Sequence, residues 1–139
     1  AISTSYNKAN IPENHKGTDY SMRAGQIVSY ATGIAEMARV PYLSIKEGDV
    51  IFVKSSSPSK SYNVAAVADS SGRVLQLFNA SSYSDKMAAT IAPANAARLY
   101  VNCWLDYEQF YIAINPPIIS DIYKLLINSG VVVNSIAAE

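Results

Sequence analysis

The segment Arg98–Ile114, RLYVNCWLDYEQFYIAI, contains the residues best suited to contact a ligand, among them the single Trp and the single Cys of the chain. Successive side chains of a strand point to opposite faces, so the segment divides into two sets. One set is wholly apolar and predicts a core face: Leu99, Val101, Cys103 and Leu105. The other set combines rings, an amide and a guanidinium, which stack on a sugar or peptide and hydrogen-bond its edges: Arg98, Tyr100, Asn102 and Trp104.

Two further tyrosines extend this candidate ligand-binding set. After the turn at Asp106–Gln109, Tyr111 is expected to join the Trp104 face. Tyr83 lies within NASSYSD, a mixture of one ring and small polar residues that is typical of adaptable recognition loops. The alternative for the aromatic face is packing against another element of the chain or against a second subunit. The predicted ligand-binding residues are therefore Tyr83, Tyr100, Asn102, Trp104 and Tyr111.

Few residues suit catalysis or metal binding. His15, the only histidine, lies in a polar opening segment, and Cys103 alternates with apolar neighbours as a buried, unreactive thiol does. One His and one Cys are too few for a zinc site. Two carboxylate pairs fall where turns are expected, without a dense acidic calcium loop: Glu47 with Asp49, and Asp106 with Glu108. We therefore expect a non-catalytic protein with no metal and no cofactor.

The balance of positive and negative charges argues against binding to nucleic acid. Among 139 residues, eleven Lys and Arg balance eleven Asp and Glu, so no net positive field attracts a phosphate backbone or an anionic membrane. We expect no nucleic-acid partner. We also expect no membrane insertion, because no apolar run approaches the roughly 18 residues of a spanning helix. The N-terminus lacks the features of a signal peptide, and one Cys cannot form an internal disulfide, which together predict synthesis in a reducing cytosol.

The elements that must position these residues are predicted to be strands. Ten Tyr, frequent Ser and Val and only 16% charged residues favour an all-β fold, and the spacing of the runs is near that of an antiparallel β-sandwich or a barrel. Turns are expected at Lys46–Asp49 and Asp69–Gly72, the latter with Gly at positive φ, and Ser55–Ser61 is expected to be an exposed polar loop. About eight strands follow from the spacing: Gln26–Tyr30, Ala38–Leu43, Val50–Lys54, Tyr62–Ala68, Arg73–Phe78, Met87–Ile91, Arg98–Leu105 and Phe110–Ile114.

The C-terminal part has a different pattern. Pro116 and Pro117 end the last strand, and SDIYKLLINSG then predicts one short helix with Ser120 as N-cap and Gly130 as its stop. The sequence VVVNSIAAE that follows either packs back on the domain or belongs to an interface or a linker. We therefore divide the chain into a β-sandwich module, residues 1–115, and a helix with a tail, residues 116–139.

Four segments share their order and spacing with a known kind of module: NKANI at Asn7–Ile11, GQIVSYATGIAEMARVPYLSIKEGDVIFV at Gly25–Val53, VAAVADSSGRVLQLF at Val64–Phe78, and ATIAPANAARLYVNC at Ala89–Cys103. Together they resemble the small jelly-roll-like β-sandwich modules of bacteriophage tail fibres, tailspikes and baseplate receptor-binding proteins. Modules of this kind also accompany secreted carbohydrate-active enzymes. The resemblance covers about residues 7–114.

The resemblance implies an attachment role in the tail of a virion. On this hypothesis the chain forms a homotrimer, is made in the host cytoplasm and binds a bacterial surface glycan or another host receptor. Two alternatives stay open: a structural connector that trimerises or spaces other modules, and an accessory domain of a secreted hydrolase. These modules have no fixed set of sugar-contacting residues, so the resemblance assigns a binding role to no numbered position.

Overall fold

A computed structural model describes residues 4–6, 8–59, 62–79, 86–116 and 133–134. In this part of the chain, twelve strands form two five-stranded sheets and one hairpin, with two short 3₁₀ turns at Lys8–Asn10 and Glu13–His15. The strands are β1 (Thr4–Tyr6), β2 (Thr18–Ser21), β3 (Ser29–Thr32), β4 (Met37–Arg39), β5 (Leu43–Ser44), β6 (Val50–Lys54), β7 (Asn63–Ala68), β8 (Val74–Asn79), β9 (Met87–Ile91), β10 (Arg98–Trp104), β11 (Tyr111–Ile114) and β12 (Val133–Asn134).

The strand pairing is that of a jelly roll. The first sheet has the order β1-β11-β6-β9-β12, and the second has the order β4-β10-β7-β8, with β5 also paired to β10. Within these sheets β1 pairs with β11, β4 with β10, β6 with β9 and β7 with β8, all antiparallel. The chain is thus one long hairpin rolled into two sheets, which is the eight-stranded jelly-roll arrangement. The all-β, jelly-roll-like sandwich predicted from the sequence is confirmed.

The core lies between the two sheets. Inward side chains of β6 and β11 in the first sheet meet those of β7 and β10 in the second, and all are buried. The apolar set predicted on β10 supplies much of the second sheet's contribution: Leu99, Val101 and Cys103 are fully buried, with Leu105 packed against them. That prediction is confirmed. Truncating a side chain as enclosed as Leu99 to Ala costs about 2–5 kcal/mol in comparable cores.

A hairpin inserted between β1 and β4 covers the outer face of the second sheet. Strands β2 and β3 pair antiparallel, with Tyr20 opposite Tyr30. Apolar side chains of this insertion, including Tyr20 and Met22, form a second buried cluster with Ala66, Ala68 and Tyr100. The second sheet is therefore covered on both faces, by the first sheet inside and by the hairpin outside.

Six of the eight predicted strands appear within one or two residues of their expected bounds, and two differ. The predicted strand Gln26–Tyr30 is wrong, because the strand there is Ser29–Thr32 and belongs to the hairpin. The predicted strand Ala38–Leu43 is interrupted between β4 and β5, and β1, β2 and β12 were not predicted. The predicted C-terminal helix lies outside the described residues, whereas β12 pairs parallel with β9 at Val133 and Asn134.

The two predicted turns and the polar loop have different outcomes. Gly48 and Gly72 both have positive φ, and the Asp69 carboxylate accepts hydrogen bonds from the backbone N–H groups of Ser71 and Arg73. The Ser71 hydroxyl also donates to this carboxylate at 2.6 Å, and this bond, together with the two backbone bonds, stabilises the ionised form and lowers the pKa of Asp69. The prediction of an exposed loop at Ser55–Ser61 is wrong at its start. Ser55 is buried because its hydroxyl donates to the backbone oxygen of Asn102 at 2.6 Å.

Candidate functional site

The polar face of β10 is turned toward the chain's own hairpin. Asn102 is only 1% exposed, and its side-chain amide is fully used. Its Oδ1 accepts from Tyr20 N at 2.8 Å, and its Nδ2 donates to Tyr20 O at 3.1 Å and to Asn63 O at 3.0 Å. The amide therefore pairs with β2 as a neighbouring strand would, and at the same time it fixes the start of β7.

Tyr100 packs beneath the same hairpin and is 6% exposed. Its ring meets Tyr20 edge to face, with centroids 5.0 Å apart, and Tyr42 in a tilted contact at 5.6 Å. The Arg98 guanidinium donates to its hydroxyl at 2.9 Å. Edge-to-face pairs of this kind stabilise a fold beyond the area they bury. Tyr100 and Asn102 are thus covered by the chain itself, which was one of the alternatives for this face.

The other three predicted residues are not brought together. Trp104 ends β10 opposite Met37 and is half-buried. Tyr111 lies in β11 of the first sheet, where its hydroxyl contacts the Met87 sulfur, so the expectation that it joins the Trp104 face is wrong. The reason is that the chain crosses to the other sheet after the Asp106–Gln109 turn. Tyr83 lies outside the described residues. Ligand contact by Trp104 and Tyr111 stays a prediction.

A polar cleft of about 170 Å³ opens where β2 approaches the start of β7. It is lined by Asp19, Tyr20, Ser21, Met22, Arg23, Tyr62 and Asn63. The Asn63 amide donates to Met22 O at 2.7 Å, which joins the two walls directly. Because Asn102 also bonds to both walls, the buried amide of β10 supports the cleft from beneath.

Asp19, one of the residues that line the cleft, has a carboxylate without a partner within the described residues. Asp19 neighbours Tyr20 on β2 and so points to the opposite face of the strand, away from the sheet. Burial raises the pKa of the Asp19 carboxyl, and no hydrogen bond or ion pair within the described residues offsets that burial. Because Gly33 has no side chain, there is room for this carboxylate; a Cβ at Gly33 would overlap Asp19 Oδ1. Such a group is free to accept hydrogen bonds from a ligand.

The side chains of the cleft suit a ligand with several hydroxyl groups. A carboxylate accepts from hydroxyl donors, a guanidinium and a Ser hydroxyl supply donors, and a Tyr ring offers an apolar face. These are the groups that fix the orientation of a small polar ligand in a shallow site. Sequence reasoning missed this set because its members lie in two segments about forty residues apart. The signal that could have found it is Asp19 itself, a carboxylate beside Tyr20 in a run where Tyr20 and Met22 alternate with polar residues.

The remaining chemistry of the described residues is limited. Burial raises the pKa of the Cys103 thiol to about 12, so the thiol is protonated at neutral pH. Among the residues with a described position, no three His, Cys, Asp or Glu side chains gather in a way that could hold a metal ion. The same part of the chain has no helix that is both long and apolar enough to cross a membrane.

Comparison with protein-family models, with curated proteins and with solved structures finds no match for this chain. The fold and the side chains of the cleft therefore carry the functional argument.

Proposed function

We propose that this chain is a non-catalytic carbohydrate-binding module of a phage tail fibre or tailspike. On this proposal it attaches to a bacterial surface glycan and works as a homotrimer in the virion tail. The resemblance of residues 7–114 to such modules supports the proposal, and so does a jelly roll, an architecture shared by lectin domains and viral proteins. Because a fold does not determine a function, the argument has to come from the site.

The unpaired Asp19 carboxylate in a polar cleft carries the proposal. A carboxylate that is partly buried without a partner costs stability, so a ligand that donates hydrogen bonds to it gains a preformed acceptor. Sugar hydroxyls are such donors, and the neighbouring Tyr62 ring and Asn63 complete a site of mixed polarity. At about 170 Å³ the cleft suits one sugar ring of a longer glycan.

Weak binding by one copy is compatible with attachment. A shallow site with a Kd of roughly 1 mM corresponds to about 4 kcal/mol. Linking several such sites in a trimer, and several trimers on one particle, raises the effective affinity by roughly 10² to 10⁴. The proposal therefore needs no deep pocket.

The test is binding of the folded protein to an array of bacterial surface polysaccharides, with Asp19→Ala and Gly33→Ala as variants. Both variants are expected to lose roughly tenfold in affinity, the first because the acceptor is gone and the second because the new Cβ displaces it. Glu47→Gln is the matched control, since Glu47 is an exposed carboxylate in the turn before β6. A folded trimer that binds no envelope polysaccharide would refute the proposal.

A trimerising connector is the second candidate, and one observation favours it. Ile27 and Leu75 are large, exposed apolar side chains. Ile27 bridges to Arg73, two residues before Leu75, so both lie at the β8 edge of the second sheet. Exposed apolar groups at a sheet edge are typical of subunit contacts. Light scattering tests this candidate: a trimer that dissociates on Leu75→Ser supports it, and a monomer unaffected by the change refutes it.

A further inference from the structure

Two exposed tyrosines near β4 and β5 each carry an arginine against the ring. The Arg39 guanidinium carbon lies 3.7 Å from the Tyr30 ring centroid, and the Arg98 guanidinium carbon lies 4.5 Å from that of Tyr42. Tyr30 is 58% exposed and Tyr42 is 47% exposed, so the guanidinium leaves much of each ring open to solvent. We name these four residues, Tyr30, Arg39, Tyr42 and Arg98, the tyrosine–arginine strip.

Buried rings beneath the surface link the two pairs. Tyr42 contacts Tyr100, and Tyr100 contacts Tyr20, which lies opposite Tyr30 in the hairpin. The Tyr20 hydroxyl donates to Val40 O at 2.6 Å and is thereby tied to the segment that follows β4. The strip therefore rests on buried side chains that are packed and hydrogen-bonded to the chain itself.

Both guanidinium groups keep most of their hydrogen-bonding capacity. Arg39 donates from Nε to Thr18 Oγ1 and also hydrogen-bonds the Tyr20 side chain, and Arg98 donates from Nη1 to Tyr100, whereas a guanidinium has five N–H donors. Within the described part of the chain, neither has a carboxylate oxygen within 4.0 Å, since the ion pair found there joins Lys16 to Glu13. Two positive charges thus lie at the surface without a salt bridge, and the Asp69 carboxylate interacts with Arg98 only from beyond ion-pair distance.

We propose that the tyrosine–arginine strip binds acidic sugar residues, such as uronic acids, in the glycan that the cleft contacts. This inference rests on the proposed function and adds the class of sugar. An arginine fork matches the two oxygens of a carboxylate, and an exposed tyrosine ring packs against the apolar face of a sugar ring. A strip that pairs each fork with a ring fits a carboxylated sugar better than a simple anion or a neutral sugar.

The experiment compares acidic polysaccharides with their neutral derivatives. Alginate, polygalacturonate and polysialic acid are each tested beside the same polymer after chemical reduction of its carboxyl groups. The wild-type protein is expected to bind at least one acidic polymer roughly tenfold more tightly than its reduced form. The preference is expected to shrink when the ionic strength rises from about 0.05 to about 0.5 M.

Variants of the strip test whether the preference for acidic over reduced polymers depends on its arginines. The double variant Arg39→Gln with Arg98→Gln is expected to bind acidic and reduced polymers equally, with binding to the reduced polymer unchanged from the wild type. That unchanged binding also shows that the variant is folded. Arg39→Lys keeps the charge but loses the fork, and should lose part of the preference. Lys86→Gln removes one exposed charge beside β9 of the first sheet and is expected to keep the preference.

Three results would overturn the inference. Equal binding of acidic and reduced polymers by the wild type would remove the acidic-sugar specificity and leave the proposed function in place. Equal affinity for polyglutamate would assign the strip to anions in general, including acidic proteins. No binding to any of these polymers, or to the polysaccharide array, would refute the proposed function along with the inference.

Discussion

Replacing Asn102 with Ala is expected to loosen the hairpin from the second sheet. The amide makes three hydrogen bonds to backbone groups of β2 and β7, and its loss leaves those groups without this partner. At about 1 kcal/mol for each bond, the free energy of unfolding should fall by about 3 kcal/mol. For a chain of this length that corresponds to a decrease in Tm of about 10 °C.

Urea unfolding followed by far-UV circular dichroism measures this loss. Gln109→Ala, which removes an exposed amide from the turn after β10, is the matched control and should change stability by less than about 0.5 kcal/mol. Asn102→Asp is a second variant. It keeps the acceptor for Tyr20 N but turns a charged oxygen toward two carbonyl oxygens, so its stability should recover as the carboxyl is protonated at low pH. A loss below about 0.5 kcal/mol in Asn102→Ala would refute the docking role of this amide.

Three further predictions address other parts of the molecule. Burial raises the pKa of Asp19, so the ionised carboxylate opposes folding. Asp19→Asn should therefore increase the free energy of unfolding at neutral pH, with a gain that disappears in urea titrations below the ordinary Asp pKa. Gly72→Ala should cost more than about 1–2 kcal/mol in the same assay, because Gly72 has φ +88° and a Cβ there would lie 3.2 Å from the Tyr100 hydroxyl. Gly17→Ala, with φ +78° and open space, should show the backbone cost alone. The Cys103 thiol should react with a disulfide reagent at pH about 8 only when the chain unfolds, and reaction at the same rate in the native protein would contradict its burial.

The sequence predicted those strands whose side chains alternate against the core. The run from Arg98 to Leu105 is the best case, because an apolar side chain at every second position has one stable placement in a sandwich. Strand β1 was missed, since its three residues carry no alternation and are recruited by pairing with β11, more than a hundred positions away. Local pattern cannot encode such a pairing, which depends on the rolled topology.

The sequence predicted which types of side chain lie on the outer face of β10, but it did not predict which polar residues are exposed. Rings, an amide and guanidinium groups were expected on the outer face of β10, and they are there. The hairpin that covers Tyr100 and Asn102 was not foreseen, because half of it was expected to be a strand of the sandwich. The exposed polar groups therefore lie elsewhere than predicted. Asp19 is on the inserted hairpin, and Arg39 and Tyr42 are at the edge of the second sheet.

The buried amide of Asn102 links the fold to the proposed site through strand register. It bonds to both the N–H and the C=O of Tyr20, so it specifies which residue of β2 faces the sheet. A shift of one residue would exchange the two faces of a strand. Tyr20 would then turn to solvent, and the Asp19 carboxylate would be forced against Tyr100 and Ala66 in an apolar cluster. The pairing that holds the hairpin in place thus also keeps the Asp19 side chain on the outer face of the hairpin, beside the cleft, and for this reason Asn102→Ala should weaken glycan binding as well as stability.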